Sequence, residues 1–199
     1  MPGVVFGFTP GQSTALSGVH HGGVFTGMVL VGALCTLLGG LRAGGMARWV
    51  IAGCLVSAAS LAALAMGGAA AAWWPLKLNV FVLGFGNGAF AVAAIGSMMA
   101  LAAAGRASRE GTRMGLFGAA QAVAFGLGGF LGTVAVDAAQ AVLGSAAVAY
   151  ASVFAAEAAL FVASALLALR VGRAGEVPAG DARVMGTVLG DGVIAGVAR

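Results

Sequence analysis

Five long apolar stretches alternate with short polar, basic or glycine-rich breaks. The first runs over about Ser13–Leu41 and is followed by a turn bracketed by Arg42 and Arg48. The second runs over about Trp49–Ala72 and ends at Trp73, Trp74 and Pro75, an aromatic pair of the kind that marks a membrane–water interface. The third, Leu76–Ala104, leads into the most charged loop, Arg106–Arg113. The fourth, Met114–Val136, closes at Asp137, and the fifth, Ala146–Leu169, ends at Arg170 and Arg173. Each exceeds the ~20 residues that cross ~30 Å of hydrocarbon. Strict polar/apolar alternation is absent, so helices are predicted and a β-barrel is not.

The flanks differ from this pattern. Residues 1–12 are rich in glycine and proline, read as an external loop, and lack the basic start and apolar core of a signal peptide. Residues 174–199 carry Glu176, Asp181, Arg183 and Asp191 together with Pro178 and several glycines, and read as a flexible cytoplasmic tail. The predicted organisation is therefore a loop over 1–12, a five-helix transmembrane bundle over 13–173 and a tail over 174–199.

Composition agrees. Of 199 residues, 61% are hydrophobic and 8% charged, against about 25% charged in an average soluble domain. Sixteen charges cannot cover a soluble protein of this size. A mean hydropathy of +1.04 excludes disorder as well. The 35 glycines suit membrane helices, whose backbones approach closely at small residues.

The net charge of +4 reads as a topology signal rather than a nucleic-acid footprint. Arg42, Arg48, Arg106, Arg109, Arg113, Arg170 and Arg173 share one side, whereas Lys77 is the one basic residue opposite. The positive-inside rule puts that arginine-rich side and the C-terminus in the cytoplasm, and the N-terminus outside. The Arg106–Arg113 loop also suits contact with anionic lipid headgroups. An external N-terminus without a signal peptide is awkward to insert. A missing upstream span resolves this, with the chain as the C-terminal part of a longer protein; a native five-span protein is the alternative. Cys35 and Cys54 fall inside apolar runs as small buried side chains.

Polar groups inside the spans are expensive and are the candidate sites. His20 and His21 lie about two turns into the first span. Neutral imidazole is a good axial ligand for a metal centre; an interfacial polar pair beside a tight Gly22-Gly23 contact is the plainer reading. With two histidines and no acid nearby in sequence, a zinc or iron site is not expected. Glu157, in mid-span, must be protonated, paired or turned to a polar cavity, as a proton or ligand site or as a helix–helix hydrogen bond inside the bundle, with Gln121 a suitable partner. Asn87 and Gln121 bond between helices or line a cavity, and Asn79 is expected to be solvated near the outer interface. Gly18/Gly22, Gly23/Gly27, Gly84/Gly88 and Gly128/Gly132 share the four-residue spacing of close helix packing, with close crossings expected at Gly84/Gly88 and Gly128/Gly132. No nucleotide fingerprint, nucleophile elbow or zinc-protease motif occurs, and no catalytic residue is predicted.

Four stretches then matter together. They are Val5–Leu16 with Gly22-Gly23, Leu83–Val92, Gly115–Val123, and Tyr150–Glu157 with the apolar run after it. In this order they resemble the PucC family, the bacteriochlorophyll-delivery branch of the major facilitator superfamily, over about Val5–Leu169. The resemblance implies twelve helices in two halves, of which this chain would supply the eighth to the twelfth. Two departures stand out: the N-terminal half and the seventh helix are absent, and Val19-His20-His21 stands where the family often has an aromatic before its glycine cluster.

By resemblance the protein serves photosynthetic light-harvesting complex assembly and bacteriochlorophyll handling in the inner membrane of a photosynthetic bacterium. Its partners would be bacteriochlorophyll or its precursors as cargo, light-harvesting polypeptides, the missing N-terminal half and membrane lipids, with no nucleic acid and no intrinsic cofactor. A "bacteriochlorophyll synthase subunit" label, attached to some members, would then denote a pathway rather than an enzyme. The competing readings are a proton-coupled transporter of a small molecule, with Glu157 as its proton site, and a structural subunit without a ligand.

Overall fold

The first helix starts on a reciprocal cap. The Thr9 amide donates to Gln12 Oε1 (2.9 Å) and the Gln12 amide donates to Thr9 Oγ1 (3.4 Å). This Thr-Pro-Gly-Gln run is a capping box with proline at the first helical position. It moves the helix start to Pro10, so Pro10–Gln12, expected in a loop, are helical. The computed structural model describes residues 7, 9–37, 43–67, 74–103 and 110–175. These form five helices: α1 (Pro10–Leu37), α2 (Ala43–Gly67), α3 (Leu76–Ala103), α4 (Glu110–Leu143) and α5 (Ala146–Gly175). All five are long and apolar enough to cross a membrane. Apart from residues 174 and 175, which close α5, the expected tail lies outside the described residues, as do Trp73 and residues 106–109 of the arginine-rich loop, whose other half opens α4.

The fourth helix departs from the expected span by passing through Asp137 and ending seven residues after Val136. Asp137 is exposed, so its charge needs no break in the backbone. The helix stops instead at Gly144, whose φ of +66° is open to glycine at no steric cost. The Gly144 amide donates to the Gln140 carbonyl (3.0 Å), and one residue later the Ser145 carbonyl accepts from Ala149 to start α5 (2.9 Å). α4 and α5 are thus a hairpin with a two-residue connection.

The centre of the molecule is α3, packed extensively against α1 on one side and α2 on another; α2 also packs along α5. α1 and α2 barely touch each other. The α1–α3 crossing is parallel and built from glycines on both helices. A Cβ at Gly23 or Gly27 would strike the Phe81 or Phe85 carbonyl oxygen, and one at Gly84 or Gly88 would strike that of His20 or Val24. The expected close crossing at Gly84/Gly88 is present. Dispersion at such contacts drives helix association in lipid, where burial against lipid tails supplies no hydrophobic gain.

The Gly128/Gly132 crossing is not formed: both positions are open, with nothing within 4 Å of an added Cβ. Gly18 and Gly22 are open too. On α1, residues 18 and 22 lie off the Gly23/Gly27 seam; on α4, Gly132 is half-buried and Gly128 exposed, and no backbone comes close to either. No described α4 side chain is buried, and Phe125, Phe130 and Val142 are among its most exposed.

Near the end of the bundle where α1 begins, Leu16, Leu64 and Leu76 form a small core with Trp74, Val80, Leu83 and Phe154 around it. Asn79 belongs to this region and is not simply solvated. With its amide oriented to match its neighbours, its nitrogen donates to the Ser60 carbonyl (3.1 Å) and its oxygen accepts from Trp74 Nε1 (3.2 Å). An amide and an indole that would otherwise stay unpaired beside an apolar core bond each other instead.

Candidate functional site: a polar relay across three helices

The glycine crossing positions the site. Gly84 and Gly88 bring the α3 backbone against the His20 and Val24 carbonyls, and Asn87 lies between those two glycines. Its side chain therefore reaches His20, with Asn87 Nδ2 3.5 Å from His20 Nε2, a long contact. On its other side, Ser57 Oγ of α2 donates to Asn87 Oδ1 (2.8 Å). Ser57 is fully buried and Asn87 half-buried. The result is a neutral chain from Ser57 through Asn87 to His20, linking α2, α3 and α1. An amide nitrogen can only donate, so a bond across this contact takes His20 Nε2 as its acceptor.

A second glycine seam admits Ser57. A Cβ at Gly86 would stand 2.7 Å from Ser57 Oγ, and one at Gly53 would stand 2.7 Å from the Phe90 amide nitrogen. Gly53, Ser57, Ser60, Leu64 and Gly67 all lie buried on α2 at helical spacing. Ser57 was not among the residues singled out from the sequence. The available signal was that four- and three-residue spacing of small residues, which puts its hydroxyl on the packed face.

The relay lies well inside the helices. His20 is ten residues from Pro10 and Ser57 ten from Gly67, while Asn87 is eleven from Leu76. At a rise of ~1.5 Å per residue these are ~15–17 Å from one end of the bundle.

His21 is built differently. It follows His20 by one residue, about 100° around the helix, and is exposed. Its Nδ1 lies 2.7 Å from the Ser17 carbonyl oxygen, one turn back. Its ring stands nearly perpendicular to that of His20, with centroids 5.6 Å apart and an interplanar angle of 87°.

Glu157 lies on the inward stripe of α5, half-buried beside the buried Ala158, with Phe154 and Ala165 above and below on the same face. It is about one turn deeper than Phe154, which touches the Leu16–Leu64–Leu76 core. Among the described residues its carboxyl makes no hydrogen bond, to the relay or to Gln121. Depth explains the second point. Gln121 is twenty-two residues from Leu143, and Glu157 eleven from Ala146 at the other side of the hairpin. The two side chains are thus about 16 Å apart along the bundle axis. Of the five candidate residues, the structure brings His20 and Asn87 together, leaves His21 on the exposed side of α1, holds Glu157 on a neighbouring packed helix, and leaves Gln121 apart. No group of three or more histidine, cysteine or acidic side chains suited to a metal ion occurs among the described residues.

Comparisons with known proteins fit a membrane chain of this kind. The "Bacteriochlorophyll synthase 44.5 kDa chain" of Rhodobacter capsulatus is 52% identical over 173 residues, which are 85% of this chain and 38% of that relative. The chain thus spans well under half the length of the curated relative it matches. No solved structure matches. The family model described as "PUCC protein" matches residues 1–176, from the α1 cap through all five helices, and the chain therefore belongs to the PUCC protein family.

Proposed function

We propose that this chain is a membrane component of photosynthetic light-harvesting complex assembly that handles or delivers bacteriochlorophyll. Family membership across residues 1–176 carries the reading, and the name of the Rhodobacter capsulatus relative supports a photosynthesis-associated role. The physical character of the site is compatible with it. An apolar bundle with one short, neutral polar relay suits a large apolar cargo with a few polar atoms better than a strongly charged solute. The relay offers hydrogen bonds that would orient the polar atoms of such a cargo. In this reading the five helices are the C-terminal part of a larger major-facilitator-type bundle, completed by an N-terminal half. The protein sits in the inner membrane with its arginine-rich ends in the cytoplasm.

The test is purification of the tagged chain from membranes of a photosynthetic host. Pigment and light-harvesting polypeptides are expected to elute with it above the level found for an unrelated membrane protein. Elution of neither would overturn the reading. Proton-coupled solute uptake into vesicles would favour a transporter instead.

A further inference from the structure

We propose that His21, from the outward face of α1, supplies the axial nitrogen ligand to the magnesium of a chlorin, and that His20 does not. The assignment rests on the pigment-handling reading above and names the residue that would hold the cargo.

The two histidines are adjacent in sequence and opposite in availability. His20 turns toward α3, and its Nε2 already faces Asn87 Nδ2. At His21 the Ser17 carbonyl can only accept, so Nδ1 must carry the proton in the 2.7 Å contact. In the neutral ring that leaves Nε2 with a bare lone pair. A metal-ligating histidine nearly always donates its other N–H to such an oxygen, which fixes the ring's orientation and raises its basicity. His21 already has that arrangement, on an exposed face of a membrane helix.

The surroundings fit a flat macrocycle. Gly18 and Gly22, three residues before and one after His21, have nothing within 4 Å of an added Cβ. A ring system lying against the helix meets no side chain at either position. Phe25, one turn further on, is 69% exposed and offers an aromatic surface beside the ring. A chlorin's magnesium holds four equatorial nitrogens and needs one neutral axial donor, so a single histidine suffices. In hydrocarbon, water does not compete for that position. Iron porphyrins also accept imidazole, and the experiment separates the two.

The 199-residue chain in lipid nanodiscs is titrated with bacteriochlorophyll a, and binding is read from the pigment's absorption and induced circular dichroism. The parent is expected to bind. His21→Gly should weaken binding by about tenfold or more, a loss that even outer partners of metal ligands can cause. Added imidazole should restore binding to His21→Gly, because it can occupy the space the ring left. His21→Leu should lose binding without rescue, and any weakening in His20→Gln, which breaks the relay, should not respond to imidazole. Far-ultraviolet circular dichroism checks that each variant keeps the parent's helix content. If the parent binds but His21→Gly binds equally well and ignores imidazole, the ligand assignment is overturned while pigment handling stands. If the parent binds no pigment, both fall. Tighter binding of iron protoporphyrin than of the magnesium pigment would overturn the assignment to a chlorin.

Discussion

Substituting alanine at Gly84 or Gly88 tests whether the α1–α3 crossing is what assembles the relay. At Gly88 a Cβ would meet the Val24 carbonyl oxygen with Val24 Cα at 3.0 Å, and at Gly84 it would meet the His20 carbonyl oxygen with the Val24 nitrogen at 3.1 Å. Ordinary carbon contacts lie at ~3.5–4.0 Å and the carbonyl oxygens lie closer still than these atoms, so the helices must move apart by about 1 Å. A gap of that size forfeits a quarter to a half of the dispersion energy of each contact across the seam. Lipid restores none of it by a hydrophobic gain. Each substitution should therefore destabilise the folded chain by about 1–3 kcal/mol. One separation relieves both clashes, so the double variant should cost less than the sum of the two. Gly18→Ala and Gly128→Ala are the controls: both positions are open and should be neutral or slightly stabilised by alanine's helix propensity. The assay is equilibrium unfolding of the detergent-solubilised chain, followed by far-ultraviolet circular dichroism. Parent-like unfolding of Gly84→Ala and Gly88→Ala, or an equal loss in Gly128→Ala, would refute the argument.

Ser57→Ala removes the donor to Asn87 and should cost about 1–3 kcal/mol of stability in the same assay, because a half-buried amide oxygen is left unpaired. Glu157→Gln and Glu157→Leu should both unfold within about 1 kcal/mol of the parent, since no hydrogen bond among the described residues holds the carboxyl; a large loss in the leucine variant alone would reveal a structural bond. For topology, Ser145→Cys, in the two-residue connection between α4 and α5, should react with a membrane-impermeant maleimide in intact cells, and Ser108→Cys should not, in a background lacking Cys35 and Cys54. The opposite labelling pattern would reverse the orientation inferred from the arginines.

The sequence by itself determined the five helices and their class. Long apolar runs must satisfy every backbone group internally in lipid, so length and hydropathy alone decide that outcome. It also contained the α1 cap in Thr9–Gln12, although a proline–glycine pair read more readily as a loop than as the first turn of a helix. It marked His20, His21 and Asn87 as costly polar groups and Gly84/Gly88 as a packing seam. Only the tertiary structure decided how these were used. Four-residue glycine spacing occurs identically at Gly84/Gly88 and Gly128/Gly132, yet one pair meets the α1 backbone and the other is open. Spacing fixes which face of a helix is small, and only the neighbouring helix fixes whether that face is occupied. Likewise, the donor from Ser57 and the separation of Glu157 from Gln121 depend on which helices adjoin and at what depth. The adjacent histidines show the same division most sharply: the sequence put them side by side, and the packing of α3 against only one face of α1 engaged His20 and left His21 open.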